Sequence, residues 1–203
     1  MQVVGKSTQL VIDGFPRSAN TFAVLAFRMA QPEPVEVAHH VHLPAQILAA
    51  VKARLPTMLL IRNPEDVVIS LVLRFPHLSL AKGLRRYNRF HRSLMRHRNA
   101  VVVADFDEVT GDYGSVIRRV NERFATTFAE FGHTPENVAQ CLALIEEWDR
   151  GRFGMGEAFE RRAARPSSAR VAMKMELQPA YRAARLAALR EEAEHLYTLF
   201  TSS

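Results

Sequence analysis

Three short stretches hold residue types whose spacing can do chemistry. The first runs Val11-Ile12-Asp13-Gly14-Phe15-Pro16-Arg17-Ser18-Ala19-Asn20-Thr21-Phe22. An apolar run enters a loop with a glycine, a cation and small polar residues, then passes directly into a helical pattern. Backbone N–H groups and the positive end of a helix at such a place suit a phosphate. The Walker A spacing G-x-x-x-x-G-K-[ST] is absent, and an ordinary N-capped turn stays open as the plainer reading. The second stretch is Leu60-Ile61-Arg62-Asn63-Pro64-Glu65-Asp66-Val67-Val68-Ile69-Ser70. In a magnesium-dependent P-loop enzyme an acid closing such a strand helps hold the metal. Arg62 stands here instead, so this strand end attracts anions. Ser70 is either a solvent-facing helix serine or a hydroxyl buried among Val68, Ile69, Leu71 and Val72, which then needs a partner. The third stretch carries His39, His40 and His42. Strand alternation would put Glu36, Ala38, His40 and His42 on one side and Val35, Val37, His39 and Val41 on the other. Divided so, the three histidines do not make a common chelate, and no metal is expected.

The elements that must hold these stretches alternate. Strands are expected at Gln9 to Phe15, Val35 to His42, Thr57 to Arg62 and Ala100 to Phe106. Helices are expected at Thr21 to Gln31, Pro44 to Arg54, Pro64 to Phe75 and, strongly basic, Ser79 to Arg98, two of them opened by proline. Beyond lie helical patterns at Ser115 to Phe131, Pro135 to Arg150 and Pro179 to Phe200, with Gly151 to Ser168 as an irregular loop. Alternating strands and helices argue for an α/β fold with a parallel sheet covered on both faces. All three stretches then fall at C-terminal strand ends, where open α/β sheets bind ligands.

At 203 residues, 48% of them apolar, the chain suits one domain, 1–203, and is not disordered, collagenous or repetitive. Its single cysteine, Cys141, excludes an intrachain disulfide and a Cys-based zinc site. No run approaches the roughly 18 apolar residues of a membrane span, and Met1 to Lys6 does not read as a secretory signal. A cytoplasmic, reducing setting is expected. The net charge is +6, and all but four of the 27 cationic side chains are arginine. Base composition of the genome explains such a surplus as well as an anionic ligand does; arginine grips phosphate and sulfate in a bidentate fork. Between Asp66 and Asp105 no acid occurs, while Arg74, Lys82, Arg85, Arg86, Arg89, Arg92, Arg96 and Arg98 all fall there. On the basic helix Leu80, Leu84, Tyr87, Phe90 and Leu94 form one arc, and Arg85, Arg89, Arg92 and Arg96 the opposite one. That is a core face backed by a solvated face, or a surface for an acidic acceptor, membrane or nucleic acid.

Pro16-Arg17-Ser18-Ala19-Asn20-Thr21-Phe22 resembles the 5′-phosphosulfate loop, P-[KR]-S-G-T-T-[WF], of sulfotransferases that use 3′-phosphoadenosine 5′-phosphosulfate (PAPS). Arg62-Asn63-Pro64-x-Asp66 with Ser70 is similar to their 3′-phosphate motif, R-N-P-x-D-x-x-x-S, and Val41-His42-Leu43-Pro44 resembles the T-H-L-P segment of the catalytic histidine. The three occur in the family's order. The resemblance implies a three-layer α/β/α, P-loop NTPase-like sulfotransferase fold with a central parallel sheet and a helical C-terminal half. It implies sulfuryl transfer from PAPS to a hydroxyl or amine, leaving 3′,5′-ADP, with no metal. His42 would be the general base, and Arg17 would stabilise charge on the departing phosphate. Pro16, Arg17, Ser18, Ala19, Asn20 and Thr21 would hold the 5′-phosphate, Phe22 would stack on adenine, and Arg62 and Ser70 would grip the 3′-phosphate. The acceptor would be a small molecule or glycan, anionic if the basic helix meets it, with nucleic acid disfavoured.

The chain departs from the family at four places. Ala19 replaces a glycine, so the loop is expected to avoid positive φ there. Asn20 replaces a threonine but can still donate. His40 stands where many cytosolic members have lysine. The C-terminal R-K-G-x-x-G loop is not visible; Arg165, Ser167 and Arg170 are candidate 3′-phosphate contacts, a basic surface loop being the other reading. A P-loop kinase or NTPase, a non-catalytic basic binding module and an inactive sulfotransferase fold remain as rivals.

Overall fold

An unbroken apolar run makes a strand that is covered on both faces. β1 (Leu10–Gly14) is such a strand, buried at every position. The computed structural model describes residues 1–153, 156–162 and 167–202. Among these, β1 is joined by β2 (Val37–His39), β3 (Thr57–Ile61) and β4 (Val102–Asp105) in a parallel sheet of order β2-β1-β3-β4. Ile12 stands opposite His39 on one side and Met58 on the other. The close approach of β1 to β3 requires Gly14, because a Cβ there would lie 2.1 Å from the Leu60 carbonyl oxygen.

The helices are α1 (Asn20–Ala30), α2 (Pro44–Lys52), α3 (Pro64–Arg74) and α4 (Leu80–Leu94), the last extended by a 3₁₀ turn over Met95–Ala100. After β4 come α5 (Phe106–Gly111), α6 (Tyr113–Phe124), α7 (Pro135–Phe153), α8 (Glu157–Arg162), α9 (Ser168–Arg182) and α10 (Ala187–Thr201). Strand side chains alternate between two cores, as the pleat demands. Val11, Leu59 and Ile61 pack with Ile47 of α2, Val68 of α3, Tyr87 of α4, Tyr181 of α9 and Phe200 of α10. Leu10, Ile12, Met58 and Leu60 pack with Phe27 of α1, Ile117 of α6 and Ile145 of α7. The architecture is therefore the expected α/β/α sandwich with a helical C-terminal half. Among the described residues no helix is long and apolar enough to cross a membrane.

Four expectations need correction. β2 stops at His39 because His40 (φ 61°) and His42 (φ 57°) turn the chain out of the strand. α6 ends at Phe124, where Ala125 adopts a left-handed cap, rather than at Phe131. Much of the expected loop from Gly151 to Ser168 is helical: α7 runs on to Phe153, α8 covers Glu157–Arg162, and Ser167 caps α9. The single last helix is two, because Ala183 is extended, a 3₁₀ turn over Ala184–Leu186 follows, and Leu186 is buried. Arg190 holds that corner by donating to the carbonyls of Tyr181 and Ala183.

Candidate functional site

Each parallel strand delivers its loop to the same edge of the sheet, and the loops after β1, β2 and β3 wall a cleft of about 1900 Å³. The β1–α1 loop is bent tightly. Arg17 has φ 75° and Ala19 φ 61°, so positive φ is adopted at the position expected to avoid it. A left-handed alanine costs about 1 kcal/mol or more, and such strain persists where the surroundings over-determine the backbone. Asn20 Nδ2 donates to the Phe15 carbonyl at 3.0 Å and closes the loop on itself. Ala19, the N-cap of α1, has no side chain to cap the helix, which leaves the first-turn N–H groups for another acceptor. Ser18 is fully buried beneath the loop, and its Oγ has no partner among the described residues.

Four arginines gather beside this loop. Ser70, 2% exposed, accepts from Arg17 Nε at 3.1 Å and from Arg170 Nη2 at 3.0 Å, so it is a buried hydroxyl with partners. Arg62 donates to the Arg17 carbonyl at 3.3 Å, lies 3.6 Å over the Phe106 ring, and approaches Asp66 at 3.6 Å; its Nε is buried with no partner among the described residues. Arg74, one helical turn beyond Ser70, lines the same cleft. Burial pushes the Arg17 guanidinium well below its ordinary range, helped by the nearby charges of Arg170 and Arg74. Burial likewise lowers Arg62 and Arg170, and the Arg62 charge adds to it at Arg170. The carboxylate of Asp149, in the same cleft, opposes that shift at Arg17, Arg74 and Arg170, and an anion seated among the guanidinium groups would oppose it further. Asn63 caps α3 by accepting from the backbone of Glu65 and Asp66, and Asp66 holds Lys174 at 2.8 Å, so the acid of this segment ties α3 to α9.

The histidines lie on the other wall. His42 Nδ1 is 2.8 Å from the Gly14 carbonyl and 3.2 Å from Asp13 Oδ1. A carbonyl only accepts, so Nδ1 carries the hydrogen and Nε2 carries the lone pair. Asp13, 1% exposed, also accepts from the backbone N–H of Gly14, Val41 and His42, and this fixes the turn that presents the ring. Contrary to the alternation argument, His39, His40 and His42 are brought together, with ring centroids 4.9 Å and 5.5 Å apart along the series. Among the described residues no group of three or more His, Cys, Asp or Glu side chains is arranged to hold a metal. Burial pushes His40 down to about 3, so it supplies no cation where lysine would.

No protein-family model matches the sequence, and no curated protein does. Among solved structures, mouse sulfotransferase SULT7A1 complexed with PAP is similar, at 11% identity over 72% of this chain and 66% of that chain, with a TM-score of 0.48. What the cleft can do rests on its own residues.

Of the residues singled out in the sequence, Pro16, Arg17, Ala19, Asn20, Thr21, Phe22, His42, Arg62, Ser70, Ser167 and Arg170 all border the cleft. Ser18 lies beneath it, and Arg165 lies outside the described residues. Two roles shift. The Phe22 ring is 7% exposed and packs edge-on against Tyr113 and Phe131, so it belongs mainly to the core. Ser167 caps α9 and donates to Glu160, whereas Arg170 reaches the anion side directly. The sequence reading missed Asp13, Arg74 and Lys174 as parts of the site. For Arg74 and Lys174 the signal was helical spacing: Arg74 follows Ser70 by four positions and Lys174 follows Arg170 by four.

Proposed function

We propose that this chain, as a single domain, transfers the sulfuryl group of PAPS to a hydroxyl or amine of an acceptor, leaving 3′,5′-ADP. The observation that carries this reading is the convergence of Arg17, Arg62, Ser70 and Arg170 beside a strained loop, with Ser18 Oγ and Arg62 Nε buried and without a partner among the described residues. Orphaned buried donors and mutually desolvated cations fit phosphate oxygens. The α1 N-terminus, Ser18 and Thr21 would receive the 5′-phosphate; Arg62, Ser70 and Arg170 would receive the 3′-phosphate.

In the transfer, the acceptor oxygen or nitrogen bonds to sulfur as the bond from sulfur to the bridging phosphate oxygen breaks. His42 Nε2 takes the acceptor's proton, which its fixed tautomer allows. The imidazolium so formed keeps its Nδ1–H between the Gly14 carbonyl and the Asp13 carboxylate. Arg17 stabilises the negative charge left on the bridging oxygen. Absence of an acid at the end of β3 argues against a magnesium-nucleotide kinase.

Calorimetry with 3′,5′-ADP and 5′-AMP tests the reading. The wild type is expected to prefer 3′,5′-ADP, and Arg62→Ala to lose that preference. Equal binding of the two by the wild type, or tighter binding of magnesium-ATP than of 3′,5′-ADP, overturns it.

A further inference from the structure

His39 and His40 play no part in the transfer described above, yet they lie on a continuous hydrogen-bonded line from an exposed arginine to the anion loop. Arg28 Nη2 is 3.3 Å from His39 Nε2, His39 Nδ1 is 2.7 Å from His40 Nδ1, and His40 Nε2 is 3.1 Å from Thr21 Oγ1. Thr21 borders the cleft at the first turn of α1.

The direction of this line follows from its first member. A guanidinium only donates, so His39 Nε2 must accept. Neutral imidazole has one N–H, which then sits on His39 Nδ1 and donates to His40 Nδ1. His40 Nδ1 therefore accepts, its hydrogen sits on Nε2, and Nε2–H donates to Thr21 Oγ1. The threonine oxygen receives a hydrogen bond from behind, and its own hydrogen is left to point elsewhere. Both rings must be neutral for the scheme to hold. Burial pushes His39 down to about 4 and His40 to about 3, so they are neutral near pH 7.

We infer that Arg28, His39 and His40 form a one-way hydrogen-bond relay that commits the Thr21 hydroxyl to donate into the cleft, making it a dedicated donor to the 5′-phosphate of the nucleotide. His39 and His40 are positioning residues, acting through Thr21. The phosphate assignment rests on the nucleotide reading proposed above; the polarity of the relay does not. The relay also gives a physical reason for His40 in place of a cation: a lysine there would donate to Thr21 but could not accept from His39, whose Nδ1–H would lose its partner. A chain of aligned donors polarises its last member and strengthens the final bond.

Nitrogen-15 NMR of the histidine rings tests polarity without any ligand. The expected result is opposite tautomers, His39 protonated at Nδ1 and His40 at Nε2. His40 protonated at Nδ1 overturns the relay. A double-mutant cycle with Thr21→Val and His40→Asn tests its use, with 3′,5′-ADP and adenosine 3′-phosphate as the two probes. Asparagine tolerates the left-handed backbone at position 40 and keeps that variant foldable. Thr21→Val is expected to weaken 3′,5′-ADP about tenfold, the scale of a hydrogen bond to a charged group, and to leave adenosine 3′-phosphate unchanged. His40→Asn is expected to weaken 3′,5′-ADP by a smaller factor, and the double variant to match Thr21→Val alone. Additive losses, or equal losses on both probes, overturn the role of the relay. A wild type that binds neither probe overturns the nucleotide reading and the phosphate assignment together, while the tautomers still decide the relay's polarity.

Discussion

Arginine is used in two ways in this molecule, and the sequence density of the residue points to the wrong one. On α4 and the 3₁₀ turn that extends it, Arg85, Arg89, Arg92 and Arg96 stand exposed, while Leu84, Tyr87, Phe90 and Leu94 are buried. That is the amphipathic layout expected, and Arg92 pairs with Glu192 across the surface. At the end of the sheet Arg17, Arg62 and Arg170 are drawn from three distant parts of the chain, and each is held by named partners in a desolvated cleft. A solvated guanidinium keeps its hydration. A desolvated one needs a partner charge; Asp149 supplies part of it to Arg17, Arg74 and Arg170, and phosphate oxygens would supply more. Burial and spatial convergence, rather than local abundance, separate a site from a surface.

The sharpest way to break this comparison is through the group that does the chemistry beside the buried cluster. His42→Ala is expected to lower kcat by about 10²–10⁴-fold, the range of a general base, while 3′,5′-ADP affinity survives. Stopped turnover assays with calorimetry on the same variant separate the two effects, and an unchanged kcat would remove His42 from the mechanism. The comparison itself is tested by pairing Arg62→Ala with a triple Arg85→Ala/Arg89→Ala/Arg96→Ala variant. Loss of charge-assisted hydrogen bonds should weaken 3′,5′-ADP by about 10–100-fold in the first. The triple variant should bind within about twofold of wild type at physiological salt, since exposed charges beyond a Debye length are screened. Arg86 of the same helix borders the cleft and is left intact; a large loss in the triple variant would make the outer face of this basic segment part of the site.

The buried side of α4 sharpens the same idea with pH. His91 is fully buried, donates from Nδ1 to the Tyr87 carbonyl at 2.9 Å, and has Nε2 unpartnered against aromatic neighbours. Burial pushes it down to about 3, as it does His40, with His39 at about 4. All three are neutral in the folded chain across the range where an unfolded histidine, at about 6.5, gains a proton. Their contribution is therefore intact above about pH 6.5 and is lost as pH falls from there toward 3–4. One such histidine is worth about 2 kcal/mol between pH 7 and pH 5 at the linkage slope. Urea unfolding of His91→Leu at the two pH values should show a drop smaller than wild type by that amount. An equal drop would mean that His91 is protonated in the folded chain.

Much of the framework was legible because it depends on local patterns. Buried parallel strands read as unbroken apolar runs, and Pro44 and Pro64 mark helix starts, so β1, β3, α2 and α3 were found within a residue or two. That the candidate residues Arg17 and Arg62, just past those strand ends, border one cleft was legible for the same reason. What escaped was long-range. No local rule says that Arg170 of α9 reaches Ser70 of α3, or that Ser70 also meets Arg17. The histidine cluster escaped because the strand period was carried through His42, whereas two left-handed residues end the strand after His39. α5 was missed although Asp105 and Glu108 form a capping box whose residue types and spacing are visible in the sequence. The break between α9 and α10 was hidden because both halves are good helix formers, and only the burial of Leu186 and Tyr181 forces the corner.

The smallest expected effect comes from the loop whose backbone the sequence reading had wrong. Ala19 holds φ 61° immediately before α1, in the segment that connects the buried arginine cluster to the helix end. Left-handed backbone costs an alanine about 1–2 kcal/mol relative to a glycine, and glycine returns part of this through its larger unfolded-state entropy, about 0.4–1 kcal/mol. Ala19→Gly should therefore stabilise the chain by about 0.5–1 kcal/mol, read as a shift of the urea midpoint with an unchanged slope. The same substitution within α4, at the half-buried Ala81, should act in the opposite direction, costing about 1 kcal/mol for glycine within a helix plus the packing of the lost methyl group. A stabilised Ala19→Gly that binds 3′,5′-ADP more weakly would show that the alanine is kept to hold the loop rigid for its anion. Unchanged affinity would leave the rigidity to Asn20 and its bond to the Phe15 carbonyl, which glycine at position 19 does not disturb.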